Sequence, residues 1–216
     1  VYSHAMIASG GLLLHTRPGR VEESADRLFR LVGPAGGDLA RFGLPDPALG
    51  ELDQHLVSAA RDGGFYTARI WDYELRRWAA PDSLVWRLRR EVDWFPDPEF
   101  GPGFLEGLHT ERPAPPVLVH VGESSDGLLW VYSMVADEDW RPGPPERPTP
   151  EWTARVFDTM VEVIDPETPE VVAAGRFDEV FAPMCGSDRV YTVRRIEGGD
   201  TRAVILQPQL RGRGGR

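Results

Sequence analysis

The sequence contains no lysine and no asparagine, and its one cysteine is Cys185. Without lysine there is no Schiff-base amine, no phosphate-loop lysine and no Ser-x-x-Lys nucleophile. Without asparagine there is neither a Cys-His-Asn site nor an N-glycosylation acceptor. One cysteine forms no intrachain disulfide and no multi-thiolate zinc site, so cysteine usage leaves the compartment open. Cys185 sits at a turn beside Gly186, with no histidine near in sequence to depress its pKa, and reads as an inert thiol. No apolar run approaches the ~20 residues of a membrane span. Position 1 is Val and no leader segment is visible, so the chain is read as either mature or a piece of something longer.

All 24 basic residues are arginine, against 34 acidic ones, for a formal net charge of −10. Abundant Arg, Ala, Gly and Pro without Lys or Asn is the signature of GC-rich coding and points to a bacterial source rather than to arginine-specific chemistry. A periplasmic or extracellular location is slightly favoured over a cytoplasmic one. The acidic balance argues against a nucleic-acid partner. Its one contrary feature is residues 211–216, RGRGGR, which glycine leaves without ordering force and which reads as a disordered, solvated tail.

At 216 residues and 41% hydrophobic, the chain has the material for a sizeable core, and its hydrophobic period is two. Residues 55–60, HLVSAA, run into the turn Arg61-Asp-Gly-Gly64 and then into 65–70, FYTARI, rich in types that fit a pleated surface. Residues 73–78 and 84–89 follow as further strands, with Leu84, Trp86 and Leu88 on one face and Arg87 and Arg89 on the other. The unit recurs over 117–177, again over 180–207, and in a worn copy over 6–42. Repetition of four-stranded units with a turn before an aromatic strand predicts an all-β chain and a β-propeller. Its four antiparallel blades fall at about residues 5–43, 54–90, 117–178 and 179–209, in one domain over 1–210. Two proline-rich insertions, near 92–116 and 136–151, interrupt it, and 104–109 has room for one short turn of helix. A β-sandwich is the alternative. Trp86, Trp130 and Tyr191 are expected to be buried between sheets.

Asp62-Gly-Gly-Phe-Tyr66, Tyr73-Glu-Leu75, the run Val85-Trp-Arg-Leu-Arg-Arg90 into Val92-Asp-Trp-Phe-Pro96, Asp126-Gly-Leu-Leu-Trp130 and Val161-Glu-Val-Ile-Asp-Pro-Glu-Thr168 resemble blades of bacterial six-bladed β-propeller proteins of the NHL/TolB-like kind. The resemblance covers residues 54–209 and concerns architecture rather than an active site. A six-bladed ring needs roughly 240 residues or more, so the resemblance implies an arc of the ring, with about two N-terminal blades missing.

No catalytic residue, metal ligand or cofactor is assigned. The five histidines, at 4, 15, 55, 109 and 120, show no paired spacing. Asp137-Glu-Asp139 reads as a solvated loop tip, and there is no D-x-D-x-D-G calcium loop. Gly122-Glu-Ser-Ser-Asp126 departs from G-x-S-x-G at its fifth position, and Gly101, Gly103 and Gly107 miss the G-x-G-x-x-G spacing by one residue. Four aromatics in or beside the insertions remain: Trp94, Phe95, Trp140 and Trp152. They are read either as anchors for a ligand on the loop face or as plugs that fill gaps between sheets. The favoured function is a non-catalytic binding module for a peptide, glycan or partner protein. The alternative is a metal-dependent propeller enzyme, lactonase- or lyase-like, with its site in a central channel, for which His55, His120 and Glu123 are the nearest ligand types.

Overall fold

The computed structural model describes residues 4–6, 11–15, 27–47, 49, 52–100, 104, 111–142, 150–183, 189–196 and 198–210. Its strands are β1 (His4–Met6), β2 (Leu12–His15), β3 (Phe29–Val32), β4 (Asp38–Phe42), β5 (His55–Ala59), β6 (Phe65–Arg69), β7 (Glu74–Ala80) and β8 (Ser83–Arg89). Then follow β9 (Val117–Glu123), β10 (Leu129–Ala136), a helix α1 (Pro150–Val156), β11 (Phe157–Asp165), β12 (Glu170–Phe177), β13 (Ala182–Pro183), β14 (Val190–Arg195) and β15 (Thr201–Leu206). No helix among the described residues is long and apolar enough to cross a membrane. The sequence reading did not anticipate α1. Its proline stands at the first helical position, where the missing N–H costs nothing and the fixed φ suits the helix.

The strands form four antiparallel meanders: β1 to β4, β5 to β8, β9 to β12, and the three-stranded β13 to β15. Local chemistry sets these pairings. In each meander one connection is the same five-residue turn, at 33–37, 60–64, 124–128 and 196–200. In the turn over 60–64, Gly63 N–H donates to Ala60 O at 3.2 Å and Ala60 N–H to Gly64 O at 2.9 Å. Gly63 and Gly127 take φ of 97° and 84° in the second and third of these turns, a left-handed conformation that glycine adopts without a Cβ clash. Apolar residues on the strand faces then collect into three clusters. Leu13, Phe29, Leu31, Val57 and Phe65 lie between the first and second sheets. Tyr66, Tyr73, Leu75, Leu118, Leu129 and Ile164 lie between the second and third, and Trp130, Tyr132, Val161, Phe181 and Val190 between the third and fourth.

The expected β-propeller is overturned. Among the described residues the four sheets are discrete and flat, and none is closed or curled into a ring or barrel. The resemblance to six-bladed NHL/TolB-like proteins and the implied missing blades fall with it. The reason is that alternation and turn residues act inside one meander: they fix which strands pair and which face is apolar. How one sheet lies on the next depends on side-chain volumes and polar ties between distant residues, and these have no period in the sequence.

Among the aromatics expected to be buried, Trp130 is 7% exposed but Tyr191 is 36% exposed, and Trp86 is half-buried. Trp86 and Tyr191 belong to edge strands or to the small last sheet, where only one face has a neighbour. The common face of Leu84, Trp86 and Leu88 holds for Trp86 and Leu88, which pack against the core, but not for Leu84, which is 47% exposed where register shifts near Trp78 displace the pairing of β7 with β8.

Candidate functional site

An open groove of about 680 Å³ lies where the second and third sheets meet. The 60–64 turn supplies Arg61 and Asp62, β6 and β7 supply Tyr66 and Arg77, and the edge strand β8 supplies Val85 and Trp86. Opposite them stand Glu123 at the end of β9, Asp126 and Gly127 in the equivalent turn of the third sheet, and Asp165 to Glu167 in the β11–β12 turn. Two copies of one local motif, the Asp-Gly turn, thus face each other across the junction.

The floor is held by polar contacts between the sheets. The Tyr66 hydroxyl and the Arg61 backbone N–H both donate to Glu123 Oε2, each at 3.1 Å. Burial, with Glu123 beside it, pushes the Tyr66 phenol well up, so it stays a donor. The Arg77 guanidinium stands 5.0 Å over the Tyr66 ring, pairs with Asp62 and donates to the Trp78 carbonyl. Arg61 donates through its side chain to the Ser125 carbonyl. Trp86 Nε1 donates to the Pro166 carbonyl at 2.9 Å, and its ring centroid lies 6.0 Å from that of Tyr66. The lining carries two guanidinium groups and five carboxylates, a formal net charge of −3.

The aromatics singled out from the sequence lie elsewhere. Phe95 is 2% exposed and meets Tyr73 edge-on at 5.3 Å, and Trp94 meets both at 5.8 Å. This trio packs in the core between the second and third sheets. Trp140 is half-buried in the turn after β10, and Trp152 is half-buried on α1. None of the four lines the groove. Reading the sequence missed Tyr66, Trp86, Arg61 and Glu123 as one site. The recurrence of Asp-Gly in two turns was the available signal, since equivalent turns of neighbouring sheets come side by side.

Other chemistry-bearing residues are held in structural roles. His55 Nε2 lies 2.9 Å from Asp53 Oδ1, both are out of water, and the Asp46 N–H donates to the other Asp53 oxygen at 2.6 Å. Burial holds the His55 imidazole below its usual pKa against the pull of Asp53. Burial alone lowers His120 to about 4, and its ring rests 5.7 Å from that of Tyr132. The Ser124 hydroxyl is fixed among the Asp126 carboxylate, the Leu128 carbonyl and the Trp130 indole N–H, so it ties the turn to the sheet. In the Asp137 loop, Asp137 accepts from the Asp139 N–H at 2.7 Å and Glu138 pairs with Arg176 at 3.3 Å. Among the described residues no three His, Cys, Asp or Glu side chains are grouped to hold a metal ion. Cys185, His109, Gly101, Gly103, Gly107 and the 211–216 tail lie outside the described residues, as do the side chains of His4 and His15 and all of the 104–109 turn except Phe104.

No family model matches the chain, and no curated protein matches it. Among solved structures it is similar to the crystal structure of a protein of unknown function from Bacteroides caccae, at 10% identity and a TM-score of 0.38, over 88% of this chain and 69% of that one, a likeness too slight to carry an argument.

Proposed function

We propose that the protein is a non-catalytic binding module whose ligand occupies the groove between the second and third sheets. One observation carries this reading: two sheets bring an indole ring and convergent polar groups to the same open space of about 680 Å³. That volume lies within the range of ligand pockets, and a few fixed polar groups beside an aromatic surface are the usual means of orienting a ligand. The walls are built for fixed shape. Glu123 is pinned by Tyr66 and Arg61, and Trp86 is pinned at its N–H edge by Pro166, so little side-chain freedom remains to be lost on binding. The reading is tested by titrating the isotopically labelled chain with a panel of short peptides and oligosaccharides and following amide shifts. Perturbations centred on Gly63, Gly127 and Glu167 are expected. Shifts confined to the junction of the third and fourth sheets would overturn the assignment of the site.

A further inference from the structure

We propose a second site, independent of the groove: a cavity between the third and fourth sheets takes an uncharged apolar small molecule, and Gln207 to Leu210 form its lid. The cavity holds about 370 Å³, within the range of small-ligand pockets. The third sheet lines it with Trp130, Val163 and Phe177, the fourth with Val190 and Leu206, and Phe181 enters from the segment between the two sheets. No lining residue carries a charge, so a charged ligand would give up water and find no partner there. The Trp130 indole N–H is spent on Ser124 Oγ at 3.1 Å, and the Phe177 and Phe181 rings stand 5.2 Å apart. Such walls offer burial and dispersion and almost no hydrogen bonds, which selects a ligand without polar groups to desolvate.

Gln207 to Leu210 run on from β15 without joining a strand. The segment lines both this cavity and a neighbouring cleft of about 300 Å³, and Trp130 lines both spaces as well. One short segment therefore lies across an apolar space that continues on its other side. Among the described residues, Pro208, Gln209 and Leu210 make no hydrogen bond to either sheet, and Pro208 has no N–H to give. Lifting them breaks no strand pairing, and segments held in this way open at low free energy. Leu210 on the lid is 40% exposed and Phe177 on β12 is 44% exposed, and both line the cavity. An apolar ligand seated between them removes both surfaces from water, so binding and closure favour each other.

The probe is N-phenyl-1-naphthylamine, a neutral apolar fluorophore, titrated into the full, isotopically labelled chain. A saturable rise in its fluorescence is expected, with shifts of the Trp130 indole N–H and of the Phe181 and Val190 amides, and none at Gly63 or Gly127. Ala173 also lines the cavity, and Ala173→Phe, which sets a ring inside it, should weaken binding by about tenfold or more. The lid variant Pro208→Gly/Leu210→Gly, freed in φ and stripped of its apolar side chain, should release the probe about tenfold faster. Absence of saturable binding, or shifts confined to Gly63 and Gly127, overturns the inference. So does binding that Ala173→Phe leaves unchanged while its near-UV circular dichroism matches that of the parent chain. If that variant fails to fold, the shifts in the parent chain decide. A release rate that the lid variant leaves unchanged overturns the lid.

Discussion

The Tyr73 hydroxyl donates to Glu162 Oε2 at 2.6 Å, joining residues of neighbouring sheets that are both out of contact with water. Arg90 reaches the other oxygen of Glu162 at 2.8 Å. A hydrogen bond to a buried charge is worth about 1.5–3 kcal/mol, so Tyr73→Phe should lower the free energy of unfolding by that amount, read as a lower urea midpoint with an unchanged slope. A loss below about 0.5 kcal/mol, the scale of an ordinary surface change, would mean that the bond contributes little. Gly64 matters for closeness rather than φ: a Cβ there would strike the Trp78 carbonyl and the Arg77 guanidinium. Gly64→Ala should therefore cost about 1–3 kcal/mol by overpacking, measurable in the same experiment. His120 sets a pH dependence. Its folded pKa of about 4 lies below the 6.5 of the free side chain, so the unfolded chain binds a proton first as pH falls. The stabilisation is complete above about pH 6.5 and drains away toward about pH 4, with a limit of about 3 kcal/mol. Denaturation of His120→Leu should show a shallower loss across that window, and parallel losses in the two proteins would refute the assignment.

At the scale of the element, burial separates the strands. β6 and β10 are buried along almost their whole length, whereas β8, β12 and β15 alternate or face water. Amide exchange should be slowest in β6 and β10 and fastest in β8 and β15, because an edge strand opens without disturbing two neighbours. Uniform protection across all four sheets would contradict this order. Trp130 lies on β10, 7% exposed, with its indole N–H on Ser124 at 3.1 Å; Trp130→Ala should cost about 3–5 kcal/mol. Elements were where the sequence was most legible. The aromatic and β-branched run at residues 65–70 became β6, and the Asp-Gly dipeptides became the turns expected of them. Leu84 and Tyr191 were misjudged because alternation names two faces but not which face, or how many faces, another sheet will cover.

For the whole molecule, the polar contacts that bind the second sheet to the third are long in range. Tyr66 with Glu123 and Tyr73 with Glu162 span 57 and 89 residues of sequence, and the Leu118 N–H donates to the Ile70 carbonyl at 2.8 Å. Glu162→Ala leaves the Arg90 guanidinium without that partner beside the core and should cost about 3–5 kcal/mol. It should also loosen the junction, seen as faster exchange on both flanking sheets. If only the third sheet responded, Glu162 would be serving its own meander rather than the junction. The sequence by itself determined that the chain is strand-rich, which runs pair as antiparallel meanders and where their turns fall, because alternation and turn chemistry act over a few residues. It also determined the acidic charge. Only the tertiary structure decided that the sheets stay discrete and flat, that Trp94 and Phe95 belong to the core, and that Arg61, Tyr66, Trp86 and Glu123 share one groove. Those outcomes depend on side chains that meet across sheets after distant turns have come together, and no local pattern along the chain records which ones will meet.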